Sequence, residues 1–257
     1  SLQVLFRSET ETTDRPVTIR IDTCIEEGHG WQFTKAQSTA AHQLQEFIRN
    51  PEMKEALVWA ACGAGKTEIT FPVIKQFLEA GRQVLFAAPR RDVVHDIQPR
   101  LQKYFSGHNV KILSGSVKPD WEESLLTVAT THQVLRFYRA FDLIIFDEVD
   151  AYPYAGSKAL EYGMEMALKP DGKRIYLTAA PSEGMLQGVR QKKCPLIRLP
   201  VRYHGHPLPI PEMMGVKISR RMSSDQIRNS RLISHIGNIF QQMMLEGPLL
   251  VFVPEIA

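Results

Sequence analysis

Ala60-Ala61-Cys62-Gly63-Ala64-Gly65-Lys66-Thr67 and, further along, Asp147-Glu148-Val149-Asp150 carry the densest chemistry in this chain. The first segment follows an apolar run and opens a helical pattern, the context a phosphate-binding loop requires. In it Gly63, Ala64 and Gly65 form a turn whose backbone amides face inward on phosphate oxygens, and the amino end of the next helix adds a favourable dipole. Lys66 would reach the β- and γ-phosphates of ATP, and the Thr67 hydroxyl would hold Mg2+. Glu68, the next residue, is counted with the nucleotide-binding set. Ala60 stands where the common pattern has its first glycine. Asp147 closes the apolar run Phe141–Phe146 and faces the metal, through water, while Glu148 orients and deprotonates the attacking water. Lys66, Asp147 and Glu148 are thus the expected catalytic residues of an ATPase. A Gly-rich turn with a chance Lys-Thr, or an acidic cluster capping a strand, is the plain reading of either segment alone, and their coexistence disfavours both.

Four further segments extend the set. Gln37, in Thr34-Lys35-Ala36-Gln37, is placed to read an adenine edge, with Trp31 or Phe33 nearby to stack. Arg90 and Arg91 follow one strand-like run, and Thr130, Thr131 and His132 follow another, so both groups offer donors to a nucleic-acid backbone. Thr178, Ala179 and Ala180 close a third run, where a segment coupling hydrolysis to strand movement is expected.

These residues need a scaffold that gathers strand ends. The pattern predicts a helix from Thr34 to about Ile48, with Ala40, Leu44, Phe47 and Ile48 on one face. Strands are predicted at Ala56–Ala60, Val84–Ala88, Lys111–Leu113, Leu125–Ala129, Leu143–Phe146 and Ile175–Leu177. Helices are predicted at Lys66–Ala80, Val93–Phe105, Thr131–Tyr138, Ser157–Leu168 and Glu183–Arg190. Short Val/Ile/Leu/Phe-rich strands alternating with helices indicate an α/β fold, a parallel sheet covered on both faces. Ligands of such sheets bind beyond the carboxyl ends of the strands. The domain reading is an extension over 1–30, an ATP-binding domain over 31–199, a Pro-containing linker over 200–224, and the beginning of a second α/β unit over 225–257. Pro200, Pro207, Pro209 and Pro211 exclude helix or central strand in the linker.

The chain has 257 residues, 44% hydrophobic and 23% charged, the composition of an ordinary globular protein. Its net charge of +3 decides nothing, and the basic pairs Arg90-Arg91, Lys192-Lys193 and Arg220-Arg221 read first as solvated surface. Cys24, Cys62 and Cys194 form no CxxC pair, which argues against a zinc ribbon or disulfide framework and for a reducing cytosol. No apolar run approaches the roughly 18 residues of a membrane span, and nothing near the start resembles a signal peptide. The chain starts without Met and stops just after Leu249–Val253, an apolar strand-like run, so it reads as a fragment.

The order of these segments resembles that of superfamily 2 helicases. More narrowly, Ala129–Gln133, Phe141-Asp142-Leu143, Asp147–Tyr154 and Leu199–Leu208 are similar to the ComFA family of late competence proteins, over roughly residues 31–257. The resemblance implies two RecA-like domains and an ATP-driven motor that pulls single-stranded DNA into the cytoplasm. It further implies work at the inner face of the membrane with other competence proteins and a membrane DNA channel. It also implies that the second domain supplies arginines to the ATPase site, so residues 1–257 alone would hydrolyse ATP slowly. The family often carries a four-cysteine zinc module, and only Cys24 lies in that region, so no zinc is expected. A replication-restart DNA helicase, a DEAD-box-like RNA helicase and a non-catalytic nucleotide-gated docking module remain open.

Overall fold

The computed structural model describes residues 23–25, 32–115, 124–150, 157–202, 237–238 and 241. The chain divides into two units, residues 18–206 and residues 1–17 with 207–257. The description that follows concerns the first. The expected linker beyond Arg202 and the expected start of a second α/β unit lie almost wholly outside the described residues.

A two-stranded antiparallel ribbon, β1 (Thr23–Ile25) and β2 (Gln32–Thr34), leads into α1 (Lys35–Arg49). Thr34 caps α1 through a reciprocal box: its Oγ accepts from the Gln37 amide at 3.3 Å, and its own amide donates to Gln37 Oε1 at 3.0 Å. Strand β3 (Glu55–Ala60) then runs into the glycine loop, followed by a 3-10 turn (Glu68–Thr70) and α2 (Phe71–Glu79). The sequence predicts one helix from Lys66, but α2 begins at Phe71. Pro72 sits in its first turn, where a missing N–H costs nothing.

The remaining elements are β4 (Val84–Ala88), α3 (Arg91–Tyr104), β5 (Val110–Leu113), β6 (Leu126–Thr130) and α4 (Thr131–Val134). After them come β7 (Phe141–Phe146), α5 (Lys158–Ala167), β8 (Leu168–Thr178), α6 (Glu183–Arg190) and β9 (Leu196–Leu199). Among the described residues, α4 is shorter than predicted, and β8 is longer. Strand β9 has no counterpart in the sequence reading.

Seven strands form one sheet in the order β5-β6-β4-β7-β8-β3-β9, every pairing parallel. Alternation along the strands divides the core. Ala56, Val58, Val84, Phe86, Val128, Leu143, Ile145, Ile175 and Leu177 pack under α1, α2 and α3 with Leu44, Ile74 and Leu101. Leu85, Ala87, Ile144 and Phe146 face the other way, onto Val134 of α4 and Leu160 and Met164 of α5. Both faces are covered, which is why these strands read as continuous apolar runs.

One buried cation ties α1 to the sheet. Lys173, on β8 and 8% exposed, donates to the carbonyls of Phe47 (3.1 Å), Met53 (2.8 Å) and Asn50. It also lies 4.8 Å over the Phe47 ring. Burial, with Lys54 adding to it, pushes its pKa below the ordinary lysine value, while the carbonyls favour the ammonium. Lys173→Met should therefore strand these carbonyls and lower stability by about 1–3 kcal/mol. Chemical denaturation of the two proteins measures the difference, and an unchanged midpoint would exclude this anchoring role.

Candidate active site

The parallel sheet sets the ends of β3, β7, β4, β6 and β8 along one edge, and every chemically loaded segment lies there. The glycine loop takes its shape from two left-handed residues, Gly63 at φ +74° and Gly65 at φ +81°. A Cβ at Gly65 would also stand 2.3 Å from Gln37 Nε2, so that side chain would have to shift. That amide donates to the Ala64 carbonyl at 2.9 Å. Gln37, 6% exposed, therefore closes the helix cap and clamps the loop together. One N–H and one lone pair of its side chain remain for a ligand.

Lys66 Nζ lies 2.9 Å from Asp147 Oδ1, joining the loop after β3 to the end of β7. Asp147 is 3% exposed and also accepts from the Glu148 amide at 2.9 Å. Burying a carboxylate this deeply demands a nearby cation. Glu148 itself has φ +51°, a left-handed conformation that a non-glycine residue adopts at a cost. This turn presents its carboxylate 3.6 Å from Arg90, which also pairs with Asp92 at 3.7 Å. Thr67 is buried, and its carbonyl accepts from the Thr70 hydroxyl at 2.6 Å. Glu68 pairs with Arg100 of α3, so its carboxylate already has a cation partner within the fold. Phe33, expected near the adenine, is 4% exposed within the core, so its ring is not free to stack. Trp31 lies outside the described residues.

A second group gathers at the ends of β4, β5 and β6. Arg91 Nη2 and Gln133 Nε2 lie 3.1 Å and 3.3 Å from the place a Cβ on Gly115 would occupy. Thr130 and Thr131 are buried, His132 is exposed, and the hydroxyls of Ser114 and Thr131 are buried without a hydrogen-bond partner among the described residues. Buried hydroxyls left in this state are uncommon and suit a ligand's oxygen or nitrogen. Ser114 and Gly115 are absent from the sequence-based set. Their one sequence signal is position, at the end of a predicted strand.

The Thr178–Ala180 turn is tied on two sides. Thr178 Oγ bonds to Asp150 Oδ1 and accepts from the Ala180 amide at 3.0 Å. Trp59 Nε1, from β3, donates to the Ala179 carbonyl at 3.0 Å. Thus the strand that feeds the glycine loop and the acidic segment both hold this turn.

Among the described residues, no three His, Cys, Asp or Glu side chains come together. A Mg2+ ion that travels with a nucleotide needs only a few protein oxygens, because phosphate and water complete its shell. The Thr67 hydroxyl and the Asp147 carboxylate fit that role, since the position opposite Asp147 already accommodates a cation, the Lys66 ammonium.

The type III restriction enzyme res-subunit family matches residues 31–183. The chain is 34% identical over 227 residues to competence protein ComFA of Bacillus subtilis (strain 168), covering 88% of this chain and 48% of that protein. It is 37% identical over 225 residues to competence protein ComFA of Streptococcus pneumoniae (strain ATCC BAA-255 / R6), covering 88% and 50%. It thus spans about half the length of the curated relatives it matches. The crystal structure of the DUF1998 helicase MrfA bound to DNA aligns with a TM-score of 0.50 at 13% identity, over 66% of this chain and 28% of that one. This is a likeness of fold, and it agrees with a RecA-like phosphate-loop sheet.

Two measurements check this geometry. Lys66→Ala and Asp147→Asn should each lower the stability of the nucleotide-free protein, and the two losses should not add. A coupling of about 1–3 kcal/mol is expected in a double-mutant cycle, and strict additivity would show that the pair is energetically idle. Cysteine labelling reads the loop itself. Cys62 is exposed, whereas burial, with the Glu55 carboxylate adding to it, pushes the Cys194 thiol up to about 12 against the Leu57 amide. At pH 8, alkylation should therefore reach Cys62 and spare Cys194, and ATP should protect Cys62. Equal labelling of Cys62 with and without saturating ATP would count against its place beside bound nucleotide.

Proposed function

We propose that this chain, which belongs to the type III restriction enzyme res-subunit family, is the ATP-binding motor domain of a single-stranded DNA translocase serving DNA uptake in natural transformation. Membership supports a helicase-like ATPase in general terms, and similarity to two competence proteins supports the biological setting. The observation that carries the ATPase reading is the Lys66–Asp147 contact, made between a left-handed glycine loop and a buried strand-end carboxylate.

In this reading the loop amides and Lys66 grip the phosphate chain, and Lys66 leaves Asp147 as it does so. A Mg2+ ion bound with the nucleotide would supply charge neutralisation on the phosphoryl oxygens, and Asp147 would face that cation in place of Lys66. Glu148 accepts the proton of the attacking water. Thr67 and Asp147 hold the metal, and Gln37 keeps the loop in register with α1. Arg90 and Arg91, with Thr130, Thr131 and His132, contact the DNA backbone rather than bases, since a motor must be indifferent to sequence. Arg90 pairs with Glu148 when no DNA is bound, so a DNA phosphate competes with that carboxylate for the same guanidinium. Hydrolysis and strand movement are linked through Thr178, Ala179 and Ala180.

The rest of the second RecA-like domain, whose start is expected at 225–257, and its catalytic arginines belong, in this proposal, to the half of the relatives that this chain does not span. Such an arginine contributes about 10³–10⁵ in rate in related phosphate-loop enzymes. Partners would be single-stranded DNA, other competence proteins and a membrane DNA channel, met at the cytoplasmic face of the membrane. No helix among the described residues is long and apolar enough to cross a membrane.

The test is ATP turnover with and without single-stranded oligothymidine and, separately, RNA. Residues 1–257 should bind Mg2+–ATP and hydrolyse it slowly. A protein extended to the full length of the relatives should be stimulated by DNA and not by RNA. Glu148→Gln in that longer protein should keep ATP binding while turnover falls by about 10²–10⁴-fold. Normal turnover in Glu148→Gln would remove the assigned base, and stimulation by RNA alone would replace the DNA motor with an RNA helicase.

A further inference from the structure

The register of the sheet edge brings one more cation to the glycine loop. Strand β9 pairs in parallel with β3, Leu57 opposite Leu196 and Ala60 opposite Leu199. The ladder continues one step into the loop, where the Ala61 amide donates to the Leu199 carbonyl at 2.9 Å. Three residues beyond the Ala60–Leu199 pair stand Gly63 in the loop and Arg202 after β9.

The side chain follows the backbone. Arg202 Nε, Nη2 and Cζ lie 3.3, 3.6 and 3.9 Å from the point a Cβ on Gly63 would occupy. The guanidinium therefore rests directly on the glycine whose left-handed turn shapes the loop. Its Nε is buried without a hydrogen-bond partner, and among the described residues Arg202 forms no ion pair. This contrasts with its neighbours, because Lys66, Arg90 and Arg100 all face carboxylates within the fold. A guanidinium whose buried donor is unsatisfied and which faces no carboxylate among the described residues is costly where it stands. It is stabilised by an anion arriving at the same loop, and a phosphate chain presents oxygens suited to its planar array of donors.

We propose that Arg202 is a phosphate ligand supplied in cis by the strand next to the glycine loop, a second cation beside Lys66 for the bound nucleoside triphosphate. The proposal rests on the nucleotide-binding reading above and assigns to it a residue outside the loop and outside the acidic strand end. Gly63 is then needed for two reasons at once, its left-handed backbone and the room it leaves for Arg202.

Equilibrium binding of a fluorescent ATP analogue with Mg2+, to wild type, Lys66→Ala, Arg202→Ala, Arg202→Gln and Arg202→Lys, tests this, with displacement by inorganic tripolyphosphate as a second readout. Arg202→Ala and Arg202→Gln should bind the analogue about 10- to 100-fold more weakly. Arg202→Lys should recover part of that loss, and tripolyphosphate should weaken in parallel. Melting temperatures without nucleotide should stay near wild type, or rise as the unpaired donor is removed. If wild type and Lys66→Ala differ as expected while Arg202→Ala and Arg202→Gln bind like wild type, Arg202 is not a phosphate ligand and the nucleotide reading stands. Loss of tripolyphosphate binding with no recovery in Arg202→Lys and a lower melting temperature in every Arg202 variant would show a structural role instead. Absence of binding by wild type itself would overturn both readings.

Discussion

A lysine ammonium 2.9 Å from a carboxylate that is almost wholly buried is the contact on which the rest of this site depends. Asp147 has lost most of its water, so some cation must face it in every state of the protein. In this structure that cation is Lys66, which joins the loop to the end of β7. In the proposed reading the same two groups would serve phosphate and metal, so binding would exchange one cation for another beside the carboxylate.

Parallel pairing makes that contact possible. The glycine loop leaves β3 and Asp147 leaves β7, with β8 between them, yet all three strands point the same way. Hydrogen bonds then tie the strand ends into one surface: Gln37 to Ala64, Trp59 to Ala179, Thr178 to Asp150. Each bond links two elements distant in sequence. The Trp59–Ala179 bond in particular joins the strand that feeds the glycine loop to the Thr178–Ala180 turn.

Glu148 shows where the fold accepts local cost. Its left-handed backbone is unfavourable for a residue with a Cβ, and it holds because the Asp147 carboxylate bonds the Glu148 amide while β7 fixes what precedes it. The result aims the Glu148 carboxylate toward Arg90 at the head of α3. The expected water-activating group and the expected DNA-backbone contact thus touch each other. Neither segment reveals this by its own composition.

The sequence by itself determined the chemistry that depends on residue type at short spacing: two glycines, Lys66 and Thr67 in one turn, an acid pair closing an apolar run, a capping residue at Thr34. It also determined the sheet, because strands buried on both faces must be apolar throughout and helices between them must be amphipathic. Limits were local as well. Strand β9 is only four residues with an exposed arginine in it, Arg198, too short and too mixed for an apolar run to stand out. The helix expected from Lys66 begins only at Phe71, because the loop's geometry governs its first residues. Only the tertiary structure decided which residues share a point in space. That Gln37 clamps Ala64, that Arg100 already holds Glu68, that Phe33 is sealed in the core, and that Arg202 lies on Gly63 all follow from strand order and register. Those are set by the packing of the whole sheet and are written in no local pattern.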